Sequence, residues 1–261
     1  GFIQFAGLTA GRADSFFDFV QGGYHMGIGI IEPDAVDHRV NLLGYTFSFG
    51  NGITASLAVE DETTTDQSVS VLLPGTYVAV KVPHIVANVA VSQAWGRAQV
   101  MAALVQNWGA LADKFGYAVG GGVEVNLPML GAGDKVFLQG VYAKGAIMYA
   151  LNADGSGQGI DFTDATGVVE QSKAWTVAGG FQHYFTKQVR ASMGGSYAKY
   201  DAANTGTQDF KQWIVGGDLT WLPVTGLSVG VGVDYRKVDF VNPAFLDRSR
   251  WMGTLRVQRS F

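Results

Sequence analysis

The chain has 261 residues with a formal charge of −4, 48% hydrophobic residues, 36 glycines and no cysteine. The charge excludes a surface built to neutralise nucleic-acid phosphates, and the absence of cysteine excludes a disulfide-stapled fold and fits a chain that crosses an oxidising periplasm without needing disulfides. No stretch reaches the roughly 18–20 uncharged apolar residues of a spanning helix, so the apolar residues are dispersed, as a tall β-barrel with an apolar outer band and a polar interior requires.

The sequence opens on Gly1-Phe2-Ile3-Gln4-Phe5-Ala6, which reads as strand with no basic leader before it. Period-two alternation predicts strands near 2–6, 7–13, 39–49, 52–61, 84–94, 97–106, 116–127 and 134–145. Five more are predicted near 174–185, 188–199, 210–222, 226–238 and 249–261, which makes thirteen. In the run 226–236, Leu227, Val229, Val231, Val233 and Tyr235 share one face, and Ser228, Gly230, Gly232, Asp234 and Arg236 share the other. A soluble sandwich also alternates, so the period alone does not decide.

The connections discriminate better. Gly50-Asn51-Gly52, Trp95-Gly96, Thr186-Lys187 and Pro223-Val224-Thr225 are short turns. They take turns with long polar connections at 14–38, 62–83, 146–173, 200–209 and 239–248. A barrel with one end in the periplasm and the other outside sorts its loops in this way, whereas a sandwich has no reason to. Trp175, Phe181, Trp213, Trp221, Tyr235 and Trp251 lie near strand ends on the apolar parity, as an interfacial girdle would; the plainer reading is core aromatics.

Motifs of other chemistries are weak. Gly22-Gly23-Tyr24-His25-Met26-Gly27-Ile28-Gly29 lacks the strand–helix context and the lysine of a phosphate loop. The stretch 152–157 lacks the bidentate glutamate of a calcium loop. His25, His38, His84 and His183 show no metal-ligand spacing. Neither a metal nor a cofactor is expected. A hydrolase on a barrel would need a nucleophile–histidine pair, but Ser196 and His183 fall on opposite parities. No enzyme activity is expected.

Two terminal motifs and one hairpin carry a family resemblance. They are Gly1-Phe2-Ile3-Gln4-Phe5-Ala6-Gly7-Leu8-Thr9-Ala10-Gly11-Arg12 with Ser15-Phe16-Phe17-Asp18-Phe19, the ending Val257-Gln258-Arg259-Ser260-Phe261, and Tyr45-Thr46-Phe47-Ser48-Phe49-Gly50-Asn51-Gly52. The whole chain resembles the alphaproteobacterial, Omp2-type outer-membrane porins. The resemblance implies an all-β fold, a sixteen-stranded transmembrane antiparallel barrel forming a single domain over 1–261, assembled as a homotrimer in a bilayer bearing lipopolysaccharide. It implies passive diffusion of small hydrophilic solutes and ions, with a substrate-specific channel, for example for a sugar, as the alternative. Phe16, Phe17, Phe19 and Tyr24 are candidates for a sugar-stacking slide. The opening segment looks like the family's fourth strand, so the first three strands are expected upstream. Phe261 would be the signal read by the barrel-assembly machinery.

The family's third long loop folds inward, and by resemblance this is the segment of about 14–38. It carries Asp14, Asp18, Glu32, Asp34 and Asp37, expected to give the constriction a negative potential. Arg97, Lys135, Arg190, Arg236, Arg250 and Arg256 fall on the inward parity and would form a basic wall. Acid facing base gives a transverse field. Alternatively, the arginines pair with Asp218, Asp234 or Glu124 and stiffen the wall. Gly120-Gly121-Gly122 and Gly179-Gly180 read as places of close backbone approach, where the loop or another subunit passes.

Overall fold

A computed structural model describes residues 1–20, 39–61, 82–108, 113–151, 161–163, 169–203 and 209–260. Its first eight strands are β1 (Phe2–Phe5), β2 (Leu8–Asp14), β3 (Arg39–Gly50), β4 (Ile53–Asp61), β5 (His84–Gln93), β6 (Gly96–Trp108), β7 (Asp113–Asn126) and β8 (Lys135–Lys144). A small ribbon, β9 (Phe162–Thr163) with β10 (Glu170–Gln171), precedes β11 (Lys173–Thr186) and β12 (Val189–Asp201). The last strands are β13 (Phe210–Val224), β14 (Leu227–Phe240) and β15 (Arg248–Arg259). Apart from the ribbon, they form one thirteen-stranded sheet, antiparallel throughout and ordered as in the chain, with β8 beside β11. All thirteen expected strands are present. β1 and β15 each have one neighbour among the described residues.

The turn chemistry is local. Asn51 and Gly52 have φ of 52° and 76°, the paired positive values of a type I′ hairpin that matches strand twist. A Cβ on Gly52 would stand 1.9 Å from the Ser92 carbonyl oxygen, so no other residue fits there. Two connections depart from the expected length rhythm. On the long-loop end, β6 and β7 keep pairing out to Trp108 and Asp113, which leaves only residues 109–112 between them. On the short-turn end, β7 and β8 are joined by the eight residues 127–134, closed by the Leu127 amide donating to the Asp134 carbonyl at 2.8 Å. The buried Asp134 carboxylate accepts from the Tyr184 amide at 2.8 Å and pairs with the His183 ring, fixing this longer turn to β11.

The two faces of the sheet differ as a membrane wall requires. On one face Val100, Val119, Leu138, Val177, Met193, Val215, Val231 and Leu255 are exposed, the inverse of a soluble domain. At the long-loop end the outward aromatics form a chain. Trp175 and Tyr197 lie 5.2 Å apart, Tyr197 and Trp213 4.3 Å, and Tyr235 and Trp251 4.8 Å between ring centroids. Phe49, Trp95, Phe185 and Trp221 are exposed near the short turns, giving a second belt. The opposite face carries polar residues, and over β5–β8 and β11 it also carries the buried apolar cluster of Val86, Met101, Ala118, Phe137, Val141 and Ala174. That cluster exists because two segments of chain pack onto the inner face.

Candidate functional site

The first inward segment follows β2. Its anchor is Glu60 on β4, fully buried, whose carboxylate accepts from the Ser15 hydroxyl at 2.7 Å and from the Phe16 amide at 2.9 Å. The Ser15 oxygen in turn accepts from the Phe17 amide at 3.1 Å. Asn88 on β5 donates to the Phe16 carbonyl at 2.6 Å. Gln99 on β6 donates to the carbonyls of Phe17 (3.4 Å) and Asp18 (3.2 Å). Three side chains from three successive strands therefore hold the backbone of residues 15–18, which otherwise would enter the interior with unpaired polar groups.

Shape reinforces polarity. Phe19 lies against Gly122, where a Cβ would come within 2.3 Å of the ring, and Phe16 lies against Gly44, where the corresponding distance is 2.6 Å. The Arg97 guanidinium stands 4.7 Å over the Phe19 ring, a cation–π contact. The close approach expected at 120–122 is thus made, at Gly122, by the inward segment. Phe17 and Phe19 are buried and Phe16 is half-buried, all packed against the wall. They are not a presented stacking surface; Tyr24 lies outside the described residues.

The second inward segment, 146–151, lies where the sequence predicts only a long polar connection. It contains a single 3-10 turn, Ile147–Tyr149, and buries Ile147, Tyr149 and Leu151 on the inner face. Asp161 accepts from the Ile147 amide at 2.6 Å, and Thr176 on β11 donates to the Ala150 carbonyl. Tyr149 joins the two segments. Its ring lies 4.6 Å from Phe17, and its hydroxyl is 3.0 Å from Nδ1 of His84. The apolar run Ala146–Leu151 inside a long polar connection is the signal that sequence reading passed over.

The expected acidic residues fall in different places. Asp14 ends β2 and pairs with Arg39 at 3.5 Å, both half-exposed at the rim. Asp18 lies on the inward segment, half-buried. Glu32, Asp34 and Asp37 lie outside the described residues, as does Phe261.

The expected cations all stand on the inner parity of their strands. Arg97 and Lys135 converge on the buried Glu124, at 3.5 and 3.4 Å. Arg236 is buried and donates through Nε to Gln212 at 3.1 Å. Arg250 is directly opposite Arg236 in the β14–β15 register, and Arg256 is opposite Gly230. Arg190 is opposite Thr220. The structure therefore brings together one acid-paired group on β6–β8 and one arginine-rich group on β12–β15. Ser196 is buried on the inner face, whereas His183 bonds to Asp134 from the outer one, so the two do not meet.

A family model described as the porin subfamily matches residues 1–250. No curated protein sequence matches the chain. Among solved structures, the outer membrane channel DcaP of Acinetobacter baumannii is similar over 100% of this chain and 73% of its own, with 16% identity and a TM-score of 0.80. In-vitro folded OmpT, an outer membrane protein of Vibrio cholerae, is similar over 97% of this chain and 75% of its own, with 10% identity and a TM-score of 0.58. An anion-selective porin from Comamonas acidovorans is similar over 92% of this chain but 64% of its own, with 13% identity and a TM-score of 0.53. At these identities, the structural likeness establishes the fold alone.

Proposed function

The chain belongs to the porin subfamily, and on that premise we propose that it is a general-diffusion channel whose constriction begins with the Glu60-held segment after β2. A porin is a channel of the bacterial outer membrane, and the apolar face with its two aromatic belts suits that bilayer. The observation that carries the narrower reading is the seating of residues 15–19 across the inner faces of β3 to β7. Chain lying there takes cross-section from the channel, and a narrowed aqueous path selects by size and charge, with no bond chemistry.

The finer assignments belong to this proposal too. The chain is an Omp2-type porin of the alphaproteobacterial group and works as a homotrimer among lipopolysaccharide. Phe261 is read by the barrel-assembly machinery. The single domain spans 1–261, with the constriction over about 14–38. Asp14, Asp18, Glu32, Asp34 and Asp37 supply negative charge, and Arg97, Lys135, Arg190, Arg236, Arg250 and Arg256 supply positive charge across from it. Arg97 and Lys135 share Glu124, so their net contribution to the field is small.

Joint substitution of Asp14, Asp18, Glu32 and Asp34 by their amides tests the acidic assignment in planar bilayers under a salt gradient. The reversal potential is expected to move towards anion preference. A reversal potential equal to that of the unmodified protein would remove these residues from the constriction, and absence of any conductance in the unmodified protein would remove the channel itself.

A further inference from the structure

On the inner wall of the last four strands, the antiparallel registers align side chains into rows. One row is Arg190, Thr220, Gly230 and Arg256; the next is Ser192, Asp218, Gly232 and Thr254. Within a row, directly opposed residues on neighbouring strands are roughly 5 Å apart at Cβ. Successive rows are roughly 7 Å apart along the strands. A cationic row thus lies one step from a row carrying a carboxylate and a hydroxyl.

Three atoms at this step are buried and without a hydrogen-bond partner among the described residues: Nε of Arg190, Oγ of Ser192 and Oδ2 of Asp218. Ser192 is 4% and Asp218 7% exposed. Asp218 is not adrift, because its other oxygen accepts from the Thr220 hydroxyl at 2.9 Å, which fixes the carboxylate plane. A buried polar group without a partner carries its desolvation cost uncompensated, and each such group calls for a reason. One donor, one hydroxyl and one acceptor, adjacent and unpaired, can each gain a partner from a solute that displaces the side chains covering them.

We propose that Arg190, Ser192 and Asp218 form a solute-recognition site on the channel wall for small zwitterions, with a carboxylate received by Arg190 and Ser192 and an ammonium by Asp218. The pairing of unlike poles carries the choice of class. Arg190 and Asp218 sit in successive rows, near enough for one short molecule bearing a carboxylate and an ammonium to bridge them. A simple anion meets Arg190 but also the unneutralised Asp218 beside it, which repels it. A neutral polyol can hydrogen-bond to either pole but forms an ion pair with neither. The inference rests on the channel reading and adds a solute class to it.

The test is the initial rate of entry of labelled alanine, propionate and glycerol into liposomes containing the full chain, measured against concentration. Alanine entry is expected to saturate, and propionate and glycerol entry to rise linearly. Asp218→Asn and Ser192→Ala, compared after normalising to glycerol entry in the same vesicles, are expected to raise the half-saturating alanine concentration by roughly tenfold, the scale of one charge-assisted bond. Linear alanine entry in the unmodified protein, or saturation unaltered in both variants, overturns the site while glycerol entry upholds the channel. Exclusion of all three solutes overturns the channel reading itself.

Discussion

Glu60→Ala is expected to loosen the inward segment and to raise single-channel conductance, with added open-state noise. The carboxylate makes two charge-assisted bonds, to the Ser15 hydroxyl and the Phe16 amide. Each bond of this kind contributes roughly 1.5–3 kcal/mol, and its loss strands a buried donor. Even about 3 kcal/mol in total lowers the ratio of docked to undocked segment by about a hundredfold. Asn88 and Gln99 still hold the carbonyls of residues 16–18, so the segment loosens without leaving the interior. Glu60→Gln keeps one acceptor and should fall between the unmodified protein and the alanine variant. Conductance unchanged in Glu60→Ala would mean that the segment does not limit the current.

Gly122→Val should act on the same segment by shape. A Cβ there meets Phe19 at 2.3 Å, closer than real side-chain contacts come, so the ring must move out. Overpacking of this kind costs roughly 1–3 kcal/mol, and the ring that leaves also gives up its contact with Arg97. The strand itself accepts valine, a residue suited to β structure. Gly121→Val is the matched control. It faces outward, where the nearest atom to a new Cβ is 3.4 Å away. The size of the largest sugar admitted to liposomes is expected to change in the Gly122 variant and to stay constant in the Gly121 variant. Equal limits in both would separate Phe19 from the constriction.

The strands were legible because a wall between lipid and water imposes period two on every segment, and one slip would turn Val231 inward and Asp234 outward. The type I′ turn at Asn51-Gly52 was legible for a similar reason, since its backbone admits few residues. The inner packing was less so. Glu60 stands on the inward parity like any lumen-facing residue, and nothing in its neighbourhood says that its partners lie 44 and 45 residues earlier. Gly44 and Gly122 are visible as glycines, but which aromatic fills the space each leaves is a tertiary fact. The 146–151 segment escaped because six residues with one 3-10 turn carry no period long enough to recognise. The pairing of a wall arginine with Glu124 was open as an alternative, and the register realises it by setting Arg97 opposite Glu124, while Lys135, opposite Asn126, is a second cation on the same carboxylate.

The central claim is that each strand presents one face to water inside the channel and the other to lipid. The chain has no cysteine, so single cysteines can be placed in turn at 252 to 257 of β15 and treated, in membranes, with a charged, membrane-impermeant thiol reagent. Strong labelling at 252, 254 and 256, with weak labelling at 253, 255 and 257, is the predicted pattern. Uniform labelling, or labelling strongest at 253, 255 and 257, would contradict it.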